Sequence, residues 1–294
     1  MLNKIKKHIG KSIIGNETKL KMALAAILSD GHILIEDLPG TGKTTFAKCL
    51  TAALNLDFKR IQFTSDLLPS DILGFSFLSK DAFEIKKGPI FTNIVLADEL
   101  NRASPKTQSA FLEAMEEKNV TIDKETFSLP DPFIVIATQN PSDLSGTSLL
   151  PESQLDRFMI SFSLDDLTSE QQLNLLKNRD LTNISRNNEL DFKDLKTAPK
   201  ININDNVYEY IQEIKIFIQN NFPVIHISTR CLKQIVSLSS SLALINKKEY
   251  VTFQDVKSVI PYVLKHRINI VEKTKVLQFI DEEILNKVTL PDDE

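Results

Sequence analysis

Three sets of residues in this chain have the types and spacing that phosphoryl chemistry requires. The first is Pro39-Gly40-Thr41-Gly42-Lys43-Thr44, with Thr45 opening the apolar stretch that follows. Its glycines let backbone N–H groups approach phosphate oxygens with no Cβ in the way. A helix N-terminus behind them adds a partial positive charge. Lys43 is spaced to reach β- and γ-phosphates, and the Thr44 hydroxyl to hold Mg²⁺. The second set is Asp98-Glu99, two adjacent carboxylates at the end of the apolar run Asn93–Ala97. Successive strand residues point to opposite faces, so the two carboxylates divide the work. Asp98 is assigned to the metal shell and Glu99 to the attacking water. The third is Asn140, at the end of the apolar run that begins at Phe133. Its amide is placed to orient the water or touch the γ-phosphate, or else to cap the loop before Pro141.

A Gly-Lys-Thr triplet is common by chance, and its surroundings decide what it means. Here the run His32–Glu36 leads in as a strand and Thr45–Leu54 follows as a helix. Strand, glycine turn, Gly-Lys-Thr, helix is the layout that binds a nucleoside triphosphate. One position departs from the full pattern: glycine is usual five residues before Gly42, and Asp37 stands there.

Further elements must position these groups. Phe58–Phe63, Asn93–Glu99 and Phe133–Asn140 are expected strands. Glu17–Leu28 is an expected helix with Leu20, Leu24, Ile27 and Leu28 on one stripe, and Thr107–Glu117 is another. Val120–Ile122 and Phe127–Leu129 alternate around Asp123-Lys124-Glu125, a candidate hairpin. Alternating strands and helices over residues 1–163 predict an α/β core with a parallel sheet covered on both faces. From residue 164 to 294 the pattern turns helical. Helices are expected from Thr168-Ser169-Glu170, over Val207–Ile218, Arg230–Leu244 and Val256–Leu264, and near Lys275–Asn286. Thr252 and Asp255 form a cap-like start for the fourth of these, and the polar stretch 178–200 suits a loop or link. The second region is a small all-α lid.

Composition bounds the rest. The chain has 294 residues, 42% hydrophobic and 25% charged, with a net charge of −4. That balance suits a globular domain pair and disfavours nucleic acid as the main partner. The N-terminal lysines Lys4, Lys6, Lys7 and Lys11 suit one solvated helix face. Cys49 and Cys231 fall in apolar helical stretches, with no zinc spacing or disulfide framework. No run approaches the length of a membrane span and no signal-peptide region leads the chain, so a cytoplasmic location is expected.

Together these residues resemble one family, the AAA+ ATPases, and within it the MoxR group. The blocks that carry the resemblance are "LIEDLPGTGKT" (34–44), "RIQFTSDLLPSDILG" (60–74), "GPIF" (88–91), "LADELNRASPKTQSAFLEAMEE" (96–117), "VTID" (120–123), "PFIVIATQNP" (132–141) and "LPESQLDRF" (150–158). "YVTFQDV" (250–256) and "VLKHRI" (263–268) resemble the family's helical C-terminal part. The resemblance implies a P-loop AAA+ core with a five-stranded parallel sheet and a C-terminal lid. It makes Lys43 and Thr44 Walker A residues, Asp98 and Glu99 Walker B, and Asn140 sensor 1. Arg157 matches the arginine finger that acts on a neighbouring subunit's nucleotide. Arg230 falls near sensor 2, which would report nucleotide from the lid, although the small residues and proline usual before it are missing. Ile14-Gly15 matches the segment lining the adenine pocket, with Asn16 where glutamine is usual. The hairpin near Val120–Leu129 and the insertion over residues 65–88 would face a ring's axis.

The resemblance further implies an Mg²⁺-dependent ATPase working as a ring homo-oligomer, a hexamer. It would remodel or mature a client protein that the sequence does not name, with a von Willebrand factor A domain protein as a possible partner. Two other readings compete. One is a magnesium-chelatase-like or nucleic-acid motor subunit; no Gly-Ala-Phe-Thr-Gly-Ala loop supports a transcription activator. The other is a nucleotide-gated scaffold with little turnover, which Glu99 and Arg157 argue against.

Overall fold

The computed structural model describes residues 15–37, 40–79, 82–140, 150–165, 168–170, 172–173, 192, 196 and 201–289. Five strands form the central sheet: β1 (His32–Glu36), β2 (Phe58–Gln62), β5 (Ile94–Asp98), β8 (Ile134–Gln139) and β9 (Phe158–Phe162). Their order is β2-β5-β8-β1-β9, and every pairing is parallel. All C-terminal strand ends therefore lie on one edge, where an open α/β sheet holds its ligands. The phosphate loop, Asp98-Glu99 and Asn140 all leave from that edge. Arg157 immediately precedes β9 and so lies on the opposite, N-terminal edge.

The inner strands are apolar along nearly their whole length because both faces are covered. On one face Ile33, Ile35, Leu96 and Ile136 pack with helices α1 (Glu17–Leu28) and α2 (Lys43–Ala53). On the other, Leu34, Val95, Ala97 and Val135 pack with Phe111, Leu112 and Met115 of α4 (Pro105–Glu117). The first core continues without a break into the C-terminal helices α6 (Asp205–Asn221), α7 (Thr229–Ile245) and α8 (Phe253–Leu264), through Tyr210, Ile235, Leu238 and Ile260. α7 lies against α1, and α8 against β9.

Local sequence explains where these helices begin. The Ser104 hydroxyl accepts the Thr107 N–H at 3.3 Å with Pro105 in the first turn, and Ser228 accepts the Cys231 N–H at 3.0 Å. Thr252 and Asp255 cap α8 reciprocally, as their spacing predicts. Both cysteines are buried thiols, and burial pushes Cys231 up to about 11. No helix among the described residues is long and apolar enough to cross a membrane.

One stretch has structure that the sequence expectation did not specify, and another differs from it. Residues 65–88 hold a short helix, α3 (Pro69–Leu73), and an antiparallel hairpin of β3 (Gly74–Ser79) and β4 (Ala82–Lys87). A Cβ at Gly88 would strike the Ile72 carbonyl, so the hairpin's base closes only around glycine. The expected last helix is instead a short α9 (Val276–Phe279) followed by a wider π-type turn, Ile280–Leu285. The wider turn brings Ile280 and Leu285, five residues apart, onto the same buried side. The candidate hairpin appears as β6 (Asn119–Ile122) and β7 (Glu125–Ser128). The helix expected from Thr168 and the link over 178–200 fall mostly outside the described residues.

Candidate active site

The expected phosphate loop, as far as it is described, turns at its two glycines. Gly40 and Gly42 have φ of +88° and +89°, and a Cβ built on either would meet nothing within 4 Å. Among the described residues nothing crowds either glycine, and both hold a backbone region that side chains avoid. α2 begins directly at Lys43, so its N-terminus, with the partial positive charge of a helix start, faces the same uncrowded space. A polyphosphate fits this cradle. Thr41 and Thr44 are half-buried, and Thr45 is exposed. The Lys43 ammonium donates to the Asp37 carbonyl at 3.0 Å.

Asp37 itself has no positive φ, so the loop does not need glycine there. Its carboxylate accepts the Leu164 N–H at 3.2 Å, and its N–H donates to the Gln139 carbonyl at 3.2 Å. The side chain that departs from the usual pattern thus ties the loop's entry to the exit of β9, while the backbone there continues the pairing with β8. Gly15 has φ +83° and precedes Asn16, whose Oδ1 accepts the Asp165 N–H at 2.9 Å. Ile14 and Pro39 lie outside the described residues.

The two carboxylates diverge because the chain turns between them. Asp98 is the last residue of β5 and is buried, while Glu99 has left-handed backbone at φ 57°, ψ 46°. Asp98 Oδ1 accepts the Thr138 hydroxyl at 2.6 Å. Asp98 Oδ2 accepts Arg60 Nε at 3.0 Å and Nη2 at 2.6 Å. The Glu99 carboxylate accepts Gln62 Nε2 at 2.8 Å and Arg102 Nη1 at 3.3 Å. Arg60 also donates to Gln62 Oε1 at 2.7 Å, so β2 connects the two acids through one polar chain. Asn140 is half-buried, one residue past β8.

Arg60, Gln62, Arg102 and Thr138 were not singled out by sequence reasoning. Arg60 and Gln62 alternate along β2, which places them on one face. The signal missing from the sequence is the register that sets Gln62 beside Asp98.

Arg157 and Arg230 come together at the other edge of the sheet. Arg157 Nη2 lies 3.1 Å from Glu116 Oε2, and Arg230 pairs with the other oxygen of the same carboxylate. Arg230 Nη1 is also 4.0 Å from Asp156, which holds Arg267 Nε at 3.1 Å. Phe158 pairs with His32, whereas the phosphate loop follows Glu36 at the far end of β1. Strand rise separates the two ends by about 15 Å. α7, which carries Arg230, the expected sensor 2 residue, thus starts beside the end of α4 rather than over the loop of its own chain.

His32 anchors that end of α4. Its Nδ1 accepts the Val135 N–H at 3.0 Å and its Nε2 lies 3.2 Å from the Met115 carbonyl. Burial lowers its pKa to about 4, so the ring is neutral.

Residues 32–160 match the profile of the ATPase family associated with various cellular activities (AAA), and residues 224–287 that of the AAA lid domain. The chain is 32% identical over 297 residues to "Chaperone MoxR1" of Mycobacterium tuberculosis, with 96% of this chain and 79% of that one aligned. The chain belongs to the MoxR family of AAA+ ATPases. It is also 38% identical over 304 residues to the uncharacterized protein YeaC of Bacillus subtilis, covering 99% of this chain and 95% of that one. A crystal structure from Cytophaga hutchinsonii, described as that of a candidate ATPase, superposes with a TM-score of 0.81 at 35% identity, over 99% of this chain and 96% of that one. Membership in this MoxR family of ATPases implies nucleotide binding.

Proposed function

We propose that this protein binds and hydrolyses ATP with Mg²⁺ in a homo-oligomeric ring, and that the cycle drives chaperone-like remodelling of a partner protein. The observation that carries the assembly reading is that Arg157 and Arg230 sit about 15 Å from the phosphate loop of their own chain. A guanidinium stabilises phosphoryl transfer only at the γ-oxygens. These two therefore serve a neighbouring copy, and the active site is completed between subunits.

Within one copy, Gly40–Thr44 cradles the phosphates and Lys43 leaves the Asp37 carbonyl to meet them. Thr44 and Asp98 would hold Mg²⁺, which would supply charge neutralisation to the phosphates. Glu99 takes the proton of the attacking water, and Asn140 orients that water. Gly15, with Ile14, borders the base. A core of about residues 1–163 and a lid of 164–294 would close on each turnover. A hexameric ring, a cytoplasmic setting and a von Willebrand factor A domain partner are parts of the same proposal. The chaperone name of the M. tuberculosis relative supports the remodelling step.

The test is ATP turnover per protomer against protein concentration, for wild type, Glu99→Gln and Arg157→Ala. The expected result is a specific rate that rises with concentration and falls about 10²-fold or more in each variant. Nucleotide affinity should be retained in both. A flat wild-type rate equal to that of Glu99→Gln would instead make the protein a nucleotide-gated scaffold.

A further inference from the structure

Glu116 lies in the last turn of α4, and no motif assigns it a part in the reaction. Its carboxylate nevertheless contacts both arginines of the N-terminal edge, Arg157 through Oε2 at 3.1 Å and Arg230 through Oε1. The two arginines come from different parts of the chain: Arg157 from the turn before β9, Arg230 from the first turn of α7. Glu116 is itself held from behind. The neighbouring Met115 carbonyl is tied to the buried His32, and Lys118 ends the helix in left-handed backbone. The anchor is therefore firmer than the two long side chains it gathers.

Charge gives the arrangement its sense. Among the described residues, Arg157, Arg230 and Arg267 pair in this cluster with Glu116 and Asp156, one positive charge in excess. All three groups of the Glu116 contact are partly exposed, with side-chain accessibilities of 27% for Arg157, 41% for Arg230 and 34% for Glu116. A guanidinium has five donors, and Glu116 engages one nitrogen of each. Two guanidinium groups held this close would repel and splay without a shared anion. With one, they form a two-pronged fork whose remaining donors can meet several oxygens of one phosphoryl group.

We propose that Glu116 is a positioning residue for hydrolysis in the neighbouring copy: it gathers Arg157 and Arg230 into one fork for that copy's γ-phosphate. The role rests on the reading that these arginines act across a subunit interface, and the test separates the two claims. Two inactive variants are mixed. Arg157→Ala keeps its own nucleotide site but offers no finger, and Glu99→Gln offers the fork but cannot use its own site. Activity recovered on mixing reports hydrolysis in the Arg157→Ala copy served by the Glu99→Gln copy.

Glu116→Gln, which keeps the side chain's volume, is then added to one partner at a time, with Glu116→Ala as the second variant. In the fork-giving copy it should lower the recovered rate about tenfold. In the receiving copy, whose own fork is already lost, the loss should be several times smaller. A purely structural Glu116 would weaken both equally. Equal losses, a larger loss in the receiving copy, or no loss in the giving copy would overturn the role. No recovery from the parent pair would overturn the trans reading itself, and this role with it.

Discussion

The Thr138 hydroxyl donates to Asp98 Oδ1 at 2.6 Å, and the same oxygen accepts the Glu99 N–H at 2.9 Å. One side chain on β8 thus fixes both the carboxylate of Asp98, proposed for the metal, and the backbone of Glu99, proposed for the water. Thr138→Val keeps the shape and removes both bonds. Leaving a buried acceptor and N–H unsatisfied costs about 1–3 kcal/mol. The loosened Glu99 should lower turnover by about tenfold or more. Thermal melts and steady-state rates check this together; a stable variant with wild-type turnover would refute it.

Arg60 Nε and Nη2 both donate to Oδ2 of Asp98, the carboxylate proposed for Mg²⁺. For Mg²⁺ to take that carboxylate, the guanidinium must give it up. Arg60 is about half exposed, at 49%, so the pair is worth roughly 1 kcal/mol. Arg60→Gln should accordingly lower the Mg²⁺ concentration for half-maximal nucleotide binding by about two- to fivefold. Fluorescent-nucleotide titration against Mg²⁺ reads this directly, and a higher Mg²⁺ requirement would contradict it.

These two residues mark where sequence stops being informative. The strands of the sheet were legible because burial on both faces makes them continuous apolar runs, and the phosphate loop because glycine spacing dictates its backbone. β9 was less so, since Phe158–Phe162 directly follows the Asp156-Arg157 step that draws the eye to chemistry. The β3–β4 hairpin carries exposed Phe75, Phe77, Leu78 and Phe83, so it lacks the one-sided alternation that announces a strand. Arg60, Gln62 and Thr138 depended on parallel register, which tertiary packing sets. The place of Arg230 depended on how the C-terminal helices dock on α1 and β9, and no local pattern encodes that.

Gly42 tests the cradle apart from the fold. At φ +89° an alanine is strained by about 1–2 kcal/mol, yet its Cβ meets no atom within 4 Å. Gly42→Ala should therefore fold, with a melting temperature lowered by a few degrees, as about 1 kcal/mol implies for a chain of this size. The methyl group would stand in the space meant for phosphate, and ATP affinity should fall by about tenfold or more. Calorimetric titration with ATP checks this, and unchanged affinity would move the phosphate site elsewhere.

His32 makes stability depend on pH in a known direction. Burial holds its pKa at about 4 in the folded chain, against 6.5 in an exposed histidine. Between these values the unfolded chain binds the proton and the folded one does not, so unfolding gains as pH falls. The contribution of neutral His32 is fully present above about pH 6.5 and is lost progressively down to about pH 4, at up to about 1.4 kcal/mol per pH unit. His266, also buried and lowered well below its usual value, acts in the same direction. Chemical denaturation at pH 7.5 and 5.5 should show the loss. His32→Gln should be less stable at pH 7.5, since it disturbs the bonds to Met115 and Val135, but flatter with pH. A wild-type stability that stays constant or rises on acidification would refute a neutral buried His32.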